Sequence, residues 1–179
     1  ITAAILSRDE NLIEVFRKGK DVHIETASII LGKKPEDITK GERKKAKPVN
    51  FGLIYGMSAR GLRRYAQLKY DTFYTEQESE DYRNKFFAKY PGFLVWHERQ
   101  RALVKRNHQV RSPLGRLRPL PDILSLDREV RAEAERQSIN SPAQSVPPDI
   151  CMMSMAALLK EMPHDECFCV GMVHDCIMF

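Results

Sequence analysis

The sequence predicts an α+β fold: a mostly helical body joined to part of a sheet. Segments with apolar positions at helical spacing, bounded by cap or breaker residues, fill most of the chain from Arg8 to Met162. The strongest strand signal comes last, in CFCVGMVHDCIMF at 167–179. The chain also opens on Ile1 and stops inside that strand-like stretch, so both ends look cut. The sheet's remaining strands are therefore expected outside this sequence.

The elements follow in order. RDENLIEVFRKG reads as a short helix ended by Gly19, and DVHIETASIILG as another, with Asp21 as N-cap and Gly32 beyond its end. PEDIT introduces a long helical pattern from about Lys40 through RKKAKPVNFGLIYG. TEQESEDYRNKFFAKYPGF begins with the capping-box pair Thr75 and Glu78 and is stopped by Pro91 and Gly92. PGFLVWHERQRALVKRN is a further amphipathic helix. Three prolines and a glycine make QVRSPLGRLRPLPD a turn-rich hairpin. LDREVRAEAERQSIN is helical and is expected to break at Ser141-Pro142, with Pro148 in the first turn of a new helix.

The chain has 179 residues, 42% hydrophobic and 30% charged, enough for a core in one domain or parts of two. Its net charge of +5 is unevenly spread. Gly41 to Lys69 holds eight Lys/Arg against one acid, and Arg99 to Arg118 holds seven and no acid. Such stretches suit a polyanionic partner, though a solvated basic face has the same composition. No segment approaches the roughly 18 apolar residues of a membrane span, and ITAAILSRDENL lacks the parts of a signal peptide. Cys151, Cys167, Cys169 and Cys176 sit among apolar neighbours and read as reduced, core-type cysteines. Cys167 and Cys169 with His164 and His174 match no familiar zinc spacing.

RKKAKPVNFGLIYG carries the chemistry. On one helix Arg43, Lys47, Phe51 and Tyr55 are four apart. Each step turns about 400° and rises about 6 Å, so the set forms one broad stripe. Two cations are followed by two rings, the order in which a nucleoside triphosphate presents phosphates and then sugar and base. Arg offers a planar fork to phosphate oxygens, Lys a movable charge, and a ring a stacking face. Gly52 is expected to let a base approach the backbone, and Gly56 to let the helix end beside Tyr55. Pro48 inside the helix tends to kink it. The alternative is an ordinary amphipathic helix with Phe51, Ile54 and Tyr55 on a core.

The same stretch resembles the fingers-helix motif of the family A DNA polymerases, Arg-x-x-x-Lys-x-x-Asn-Phe-Gly-x-x-Tyr-Gly. Arg43, Lys47, Asn50, Phe51, Gly52, Tyr55 and Gly56 all fit it. The resemblance implies a mostly helical fingers subdomain with a partial palm sheet of a right-handed polymerase, incomplete at both ends. Residues 1–12 would be a palm edge, 13–125 the fingers and a primer-template contact hairpin, and 126–179 a palm segment. It implies DNA-directed DNA polymerisation with two Mg²⁺ ions in the intact parent. His23, Arg43, Lys47, Phe51 and Tyr55 would bind the incoming dNTP, with Arg43 and Lys47 also serving catalysis. SPLGRLRPLPD is similar to the primer-template hairpin and makes Arg116 a phosphate contact. AERQSINSPAQS is similar to a DNA-contacting segment and maps that role onto Arg136, Asn140 and Gln144. VGMVHDCIMF looks like the last catalytic motif, with His174 toward the DNA and Asp175 holding metal. The implied partners are primer-template DNA and dNTPs, with no membrane. A monomer in the cytoplasm of a bacterial or viral system, associated with the nucleoid, is expected.

Three departures stand out. The family's other metal-binding Asp would precede Ile1. Cys176 stands where the family usually has Glu. Pro147-Pro148 replaces a small-residue helix start, which bears on where Gln144 points. Three rivals remain at this point, the most distant being a metal-binding regulatory domain. A single-subunit RNA polymerase would share the layout, and a non-catalytic nucleic-acid-binding helical module would share the charge.

Overall fold

A computed structural model describes residues 1–162, 168–173 and 176–179. Eight α-helices lie among these residues: α1 (Thr2–Ser7), α2 (Glu10–Arg17), α3 (Val22–Leu31), α4 (Lys40–Ile54), α5 (Ala59–Tyr70), α6 (Glu76–Lys89), α7 (Gly92–Asn107) and α8 (Arg128–Glu161). Two antiparallel hairpins accompany them. The first pairs β1 (Gln109–Arg111) with β2 (Leu117–Pro119), and the second pairs β3 (Gly171–Val173) with β4 (Cys176–Met178). The α+β reading therefore holds: a helical majority with small sheets.

Local caps set most boundaries. Asp21 begins α3 by accepting from the N–H groups of His23 and Ile24, and Gly32 ends it in the left-handed region at φ 67°. Thr39 and Glu42 form a reciprocal capping box at α4, and Thr75 and Glu78 form another at α6. Each box satisfies two backbone donors that the first turn would otherwise leave bare.

Asp9 does two jobs. One carboxylate oxygen caps α2 through the Leu12 N–H at 2.9 Å, and the other accepts the Gly92 N–H at 2.8 Å, where α7 starts. Gly92 is required there because a Cβ would lie 2.9 Å from both the Asp9 Cα and the Ser7 carbonyl oxygen. The start of α7 thus lies directly against the turn between α1 and α2.

The larger core joins α1 to α7. Leu12, Ile30, Val49, Leu53 and Leu62 pack there with Phe86, Tyr90 and Phe93. The last three rings are fully enclosed, and the Phe86 and Tyr90 centroids are 5.1 Å apart. Burying one such side chain contributes roughly 1.5–3 kcal/mol. A second cluster of Val104, Val110, Leu120, Ile123 and Ala134 clamps the first hairpin between α7 and α8.

Several elements differ from the sequence reading. The expected break at Ser141-Pro142 does not occur: α8 runs unbroken through Pro142, Pro147 and Pro148. An interior proline costs about 3 kcal/mol in isolation. Here α8 packs against α1, α7 and the first hairpin, with Ser138, Ile139, Pro142 and Ala143 buried, and tertiary burial outweighs local propensity. The spacing analysis did not single out α1 or α5. The first is only six residues long. The second begins at a Ser58 cap and buries just Ala59, Leu62 and Ala66, a narrow apolar signal in a basic stretch.

Candidate functional site

The ridge proposed from spacing lies on α4. Pro48 is buried inside the helix, and α4 continues through it to Ile54. The proline frees the Lys44 carbonyl, and one residue on, the Tyr74 hydroxyl donates to the carbonyl of Lys45. At its far end Tyr55 is the C-cap and Gly56 turns away at φ 79°. That glycine has a packing reason as well, since a Cβ would come within 2.7 Å of the Ile139 Cδ1. The ring of His97 donates from Nε2 to the Ile54 carbonyl at 2.9 Å and fixes the same corner. Burial pushes His97 down to about 4; its bond to that carbonyl opposes this, while Arg101 and Arg83 add to it. The imidazole is neutral where it holds the helix end.

Gly52 does not serve the role expected of it. It is buried against α5, and a Cβ there would meet the Leu62 Cδ1 at 3.0 Å and the Met57 Sδ at 3.3 Å. It lets α4 and α5 approach closely and offers no surface to a base.

Three of the four ridge residues, Arg43, Lys47 and Phe51, lie near the start of α3. Phe51 is 40% exposed, and its ring centroid lies 5.7 Å from that of His23, tilted by 46°. Arg43 and Lys47 stand two turns and one turn closer to the helix start, both half-buried and both near enough to affect His23. Burial lowers the His23 pKa below its usual value; Asp21 opposes this, and Arg43 and Lys47 add to it. Phe51, Tyr55 and His23 line a cavity of about 390 Å³ together with Ile1, Ala3 and Gln144. Arg43 and Lys47 are not in its lining; their link to it is through His23, whose pKa they both lower.

Two residues without a sequence-assigned role organise this group. Asn50 is 2% exposed and donates from Nδ2 to the Nδ1 of His23 at 3.1 Å and to the Ala46 carbonyl. Its Oδ1 accepts from the Thr26 hydroxyl at 2.9 Å. An amide nitrogen only donates, so the His23 Nδ1 accepts and its ring proton sits on Nε2. The second is Asp21, whose carboxylate holds the Arg43 guanidinium. Asn50 lay within the quoted motif and Asp21 had been read as a cap, so both were visible without their partners.

A second group lies between the first hairpin and α8. Arg116, Asn140 and Gln144 line a cleft of about 260 Å³, together with Arg118, Ser141 and Ser145. Arg118 donates to the Ser141 hydroxyl at 2.8 Å and to the Gln137 side-chain oxygen at 3.0 Å, tying β2 to α8. Arg116 is exposed at the hairpin turn and pairs with the nearly buried Asp149. Gln144 borders both clefts. Arg136 lines neither; it pairs with Glu133 along α8.

The matching family model, DNA polymerase family A, covers residues 2–179. The chain belongs to the family A DNA polymerases. Its curated relatives include DNA polymerase I of Pseudomonas aeruginosa, 39% identical over 155 residues, or 87% of this chain and 16% of that protein. DNA polymerase I of Aquifex aeolicus is 38% identical over 157 residues, 88% of this chain and 25% of that protein. The thermostable DNA polymerase I of Thermus aquaticus is 34% identical over 172 residues, 96% and 20%. This polymerase chain thus spans a quarter or less of the length of those relatives. A solved structure, the POL domain of Pol1 from M. smegmatis in complex with DNA primer-template and dNTP, superposes with a TM-score of 0.77 at 31% identity. The match covers 89% of this chain and 28% of that one.

His174 and Asp175, expected from the sequence to carry the last catalytic motif, lie outside the described residues, as do His164 and Cys167. Strands β3 and β4 on either side of that motif pair antiparallel, with Val173 opposite Cys176. Among the described residues no three of His, Cys, Asp or Glu cluster to hold a metal ion. No helix among them is long and apolar enough to cross a membrane.

Proposed function

We propose that this chain is the fingers and part of the palm of a DNA-directed DNA polymerase, and that the α4 ridge binds the incoming dNTP. The observation carrying this reading is the set of groups around His23: the Phe51 ring packs on the imidazole, Arg43 and Lys47 are near enough to affect it, and His23, Phe51 and Tyr55 line one cleft. Arg43 and Lys47 meet the triphosphate. Phe51 stacks on the sugar and base. Tyr55, at the end of α4, takes the template side of the nascent pair. Neutral His23, with its proton directed by Asn50, donates from Nε2 toward the phosphates. These groups act by holding the nucleotide in place and neutralising its charge.

The hairpin-α8 cleft takes primer-template DNA, with Arg116 on a phosphate and Asn140, Gln144 and Arg136 along the duplex. His174 adds a DNA contact. The related M. smegmatis structure is a complex with primer-template and dNTP, which supports these two classes of ligand. Residues 1–12 form a palm edge, 13–125 the fingers and hairpin, and 126–179 a palm segment.

Asp175 is the carboxylate proposed to hold Mg²⁺. Two such ions, when bound, activate the primer 3′-hydroxyl and stabilise the leaving pyrophosphate. The reading includes a monomer in the cytoplasm, associated with the nucleoid, and bacterial relatives support that setting.

One consequence concerns the 179-residue chain by itself. A single proposed metal carboxylate does not assemble a two-ion site, so the purified chain is expected to show no primer extension with Mg²⁺ and dNTPs. Measurable Mg²⁺-dependent extension would overturn the two-carboxylate reading.

A further inference from the structure

Asp21 and Arg43 meet in an arrangement that an ordinary surface ion pair does not need. The Asp21 Oδ2 accepts from the Arg43 Nε at 2.9 Å and from its Nη2 at 2.6 Å. The other oxygen, Oδ1, is committed elsewhere: it caps α3 through the N–H groups of His23 at 2.8 Å and Ile24 at 3.2 Å. The carboxylate cannot swing without uncapping the helix. It is a fixed post, and the guanidinium is tied to it.

Both side chains are about a third exposed, at 35% and 34%. An ion pair this open to water adds little to stability, so its contribution lies in geometry. A guanidinium carries five N–H donors in a rigid plane. Asp21 engages two along the Nε–Nη2 edge, and three remain, two of them side by side on the Nη1–Nη2 edge. Burial raises the Asp21 pKa, but the Arg43 bond and the two backbone N–H bonds outweigh it, so the group stays below its usual carboxylate range and remains charged. The same carboxylate also fixes the turn from which His23 reaches Phe51.

We infer that Asp21 is a positioning residue: it holds the Arg43 guanidinium by one edge and leaves the other edge pre-aimed at the triphosphate. This rests on the nucleotide reading of the α4 ridge. Without Asp21, Arg43 must be ordered when the nucleotide binds, and that cost appears in affinity.

The test is Asp21→Asn in the intact parent polymerase. Asn retains an N-cap oxygen, so α3 keeps its start. Its amide N–H₂ then faces the guanidinium and offers no acceptor. The KM for dNTP is expected to rise roughly 2- to 10-fold, with kcat and the melting temperature nearly unchanged. In an Arg43→Ala background, the same Asp21 change is expected to add nothing. A lower KM would show Asp21 competing with the phosphates and would overturn the inference. So would an unchanged KM, or an equal rise in the Arg43→Ala background. If Arg43→Ala alone leaves the KM unmoved, the nucleotide reading itself fails, an outcome distinct from the others.

Discussion

Replacing Lys47 with alanine in the intact parent is expected to raise the KM for dNTP roughly 10- to 100-fold. The range follows from the loss of a hydrogen bond between charged groups. Lys47 sits one turn above Phe51 on α4, half-buried, and adds to the cationic surroundings of His23. Nothing in the described structure places a carboxylate in salt-bridge contact with it, whereas Arg43 has Asp21. Its ammonium is therefore available to a phosphate without first leaving a partner. Affinity for primer-template DNA should barely change, because Lys47 is not in the lining of the cleft that holds the proposed DNA contacts Arg116 and Asn140. A parallel fall in kcat would mean that the ammonium also meets charge developing in the transition state. An unchanged KM would remove Lys47 from the phosphate role.

Phe51→Tyr should relax discrimination against dideoxynucleotides by roughly 10- to 100-fold. The Phe51 ring lines the 390 Å³ cavity and packs on His23. A phenyl ring cannot donate a hydrogen bond, so the nucleotide's own 3′-hydroxyl must satisfy any acceptor near it. When that hydroxyl is missing the acceptor goes bare, and the parent rejects the analogue. A phenolic hydroxyl on the same ring supplies the donor. Because Phe51 is already 40% exposed, adding an oxygen should not disturb the core. Competitive incorporation of dideoxy- and deoxynucleotides by the two versions measures the ratio directly. Equal discrimination by both would contradict the placement of the ring beside the sugar.

Local features were readable in the chain; pairings across distance were not. The capping box at Thr75 is fixed within four residues, and the Asp21 cap within three, so short spacing reveals them; the equally local Thr39 box was missed. The α4 ridge is equally local, since helix geometry alone aligns positions four apart. The bonds that turn the ridge into a site span much more sequence. Asn50 reaches His23 across 27 residues and Arg43 reaches Asp21 across 22. No local rule selects those partners.

The two misreadings share a physical cause. Pro142 looked like a breaker, and Pro148 like the start of a new helix, because propensity counts only the lost backbone bonds, while α8 is held by the surfaces around it. Gly52 looked like room for a ligand because it lacks a side chain beside the proposed stacking ring of Phe51, while the missing side chain makes room for Leu62 and Met57. Burial direction decided both.

Cross-linking of a photoreactive azido-dATP to the intact parent, bound to primer-template DNA and mapped by peptide mass spectrometry, tests the nucleotide ridge most directly. Adducts on Phe51 or Tyr55, suppressed by excess dATP, are the predicted result. Adducts confined to the β1–β2 hairpin or α8, with the α4 peptide unmodified, would contradict it.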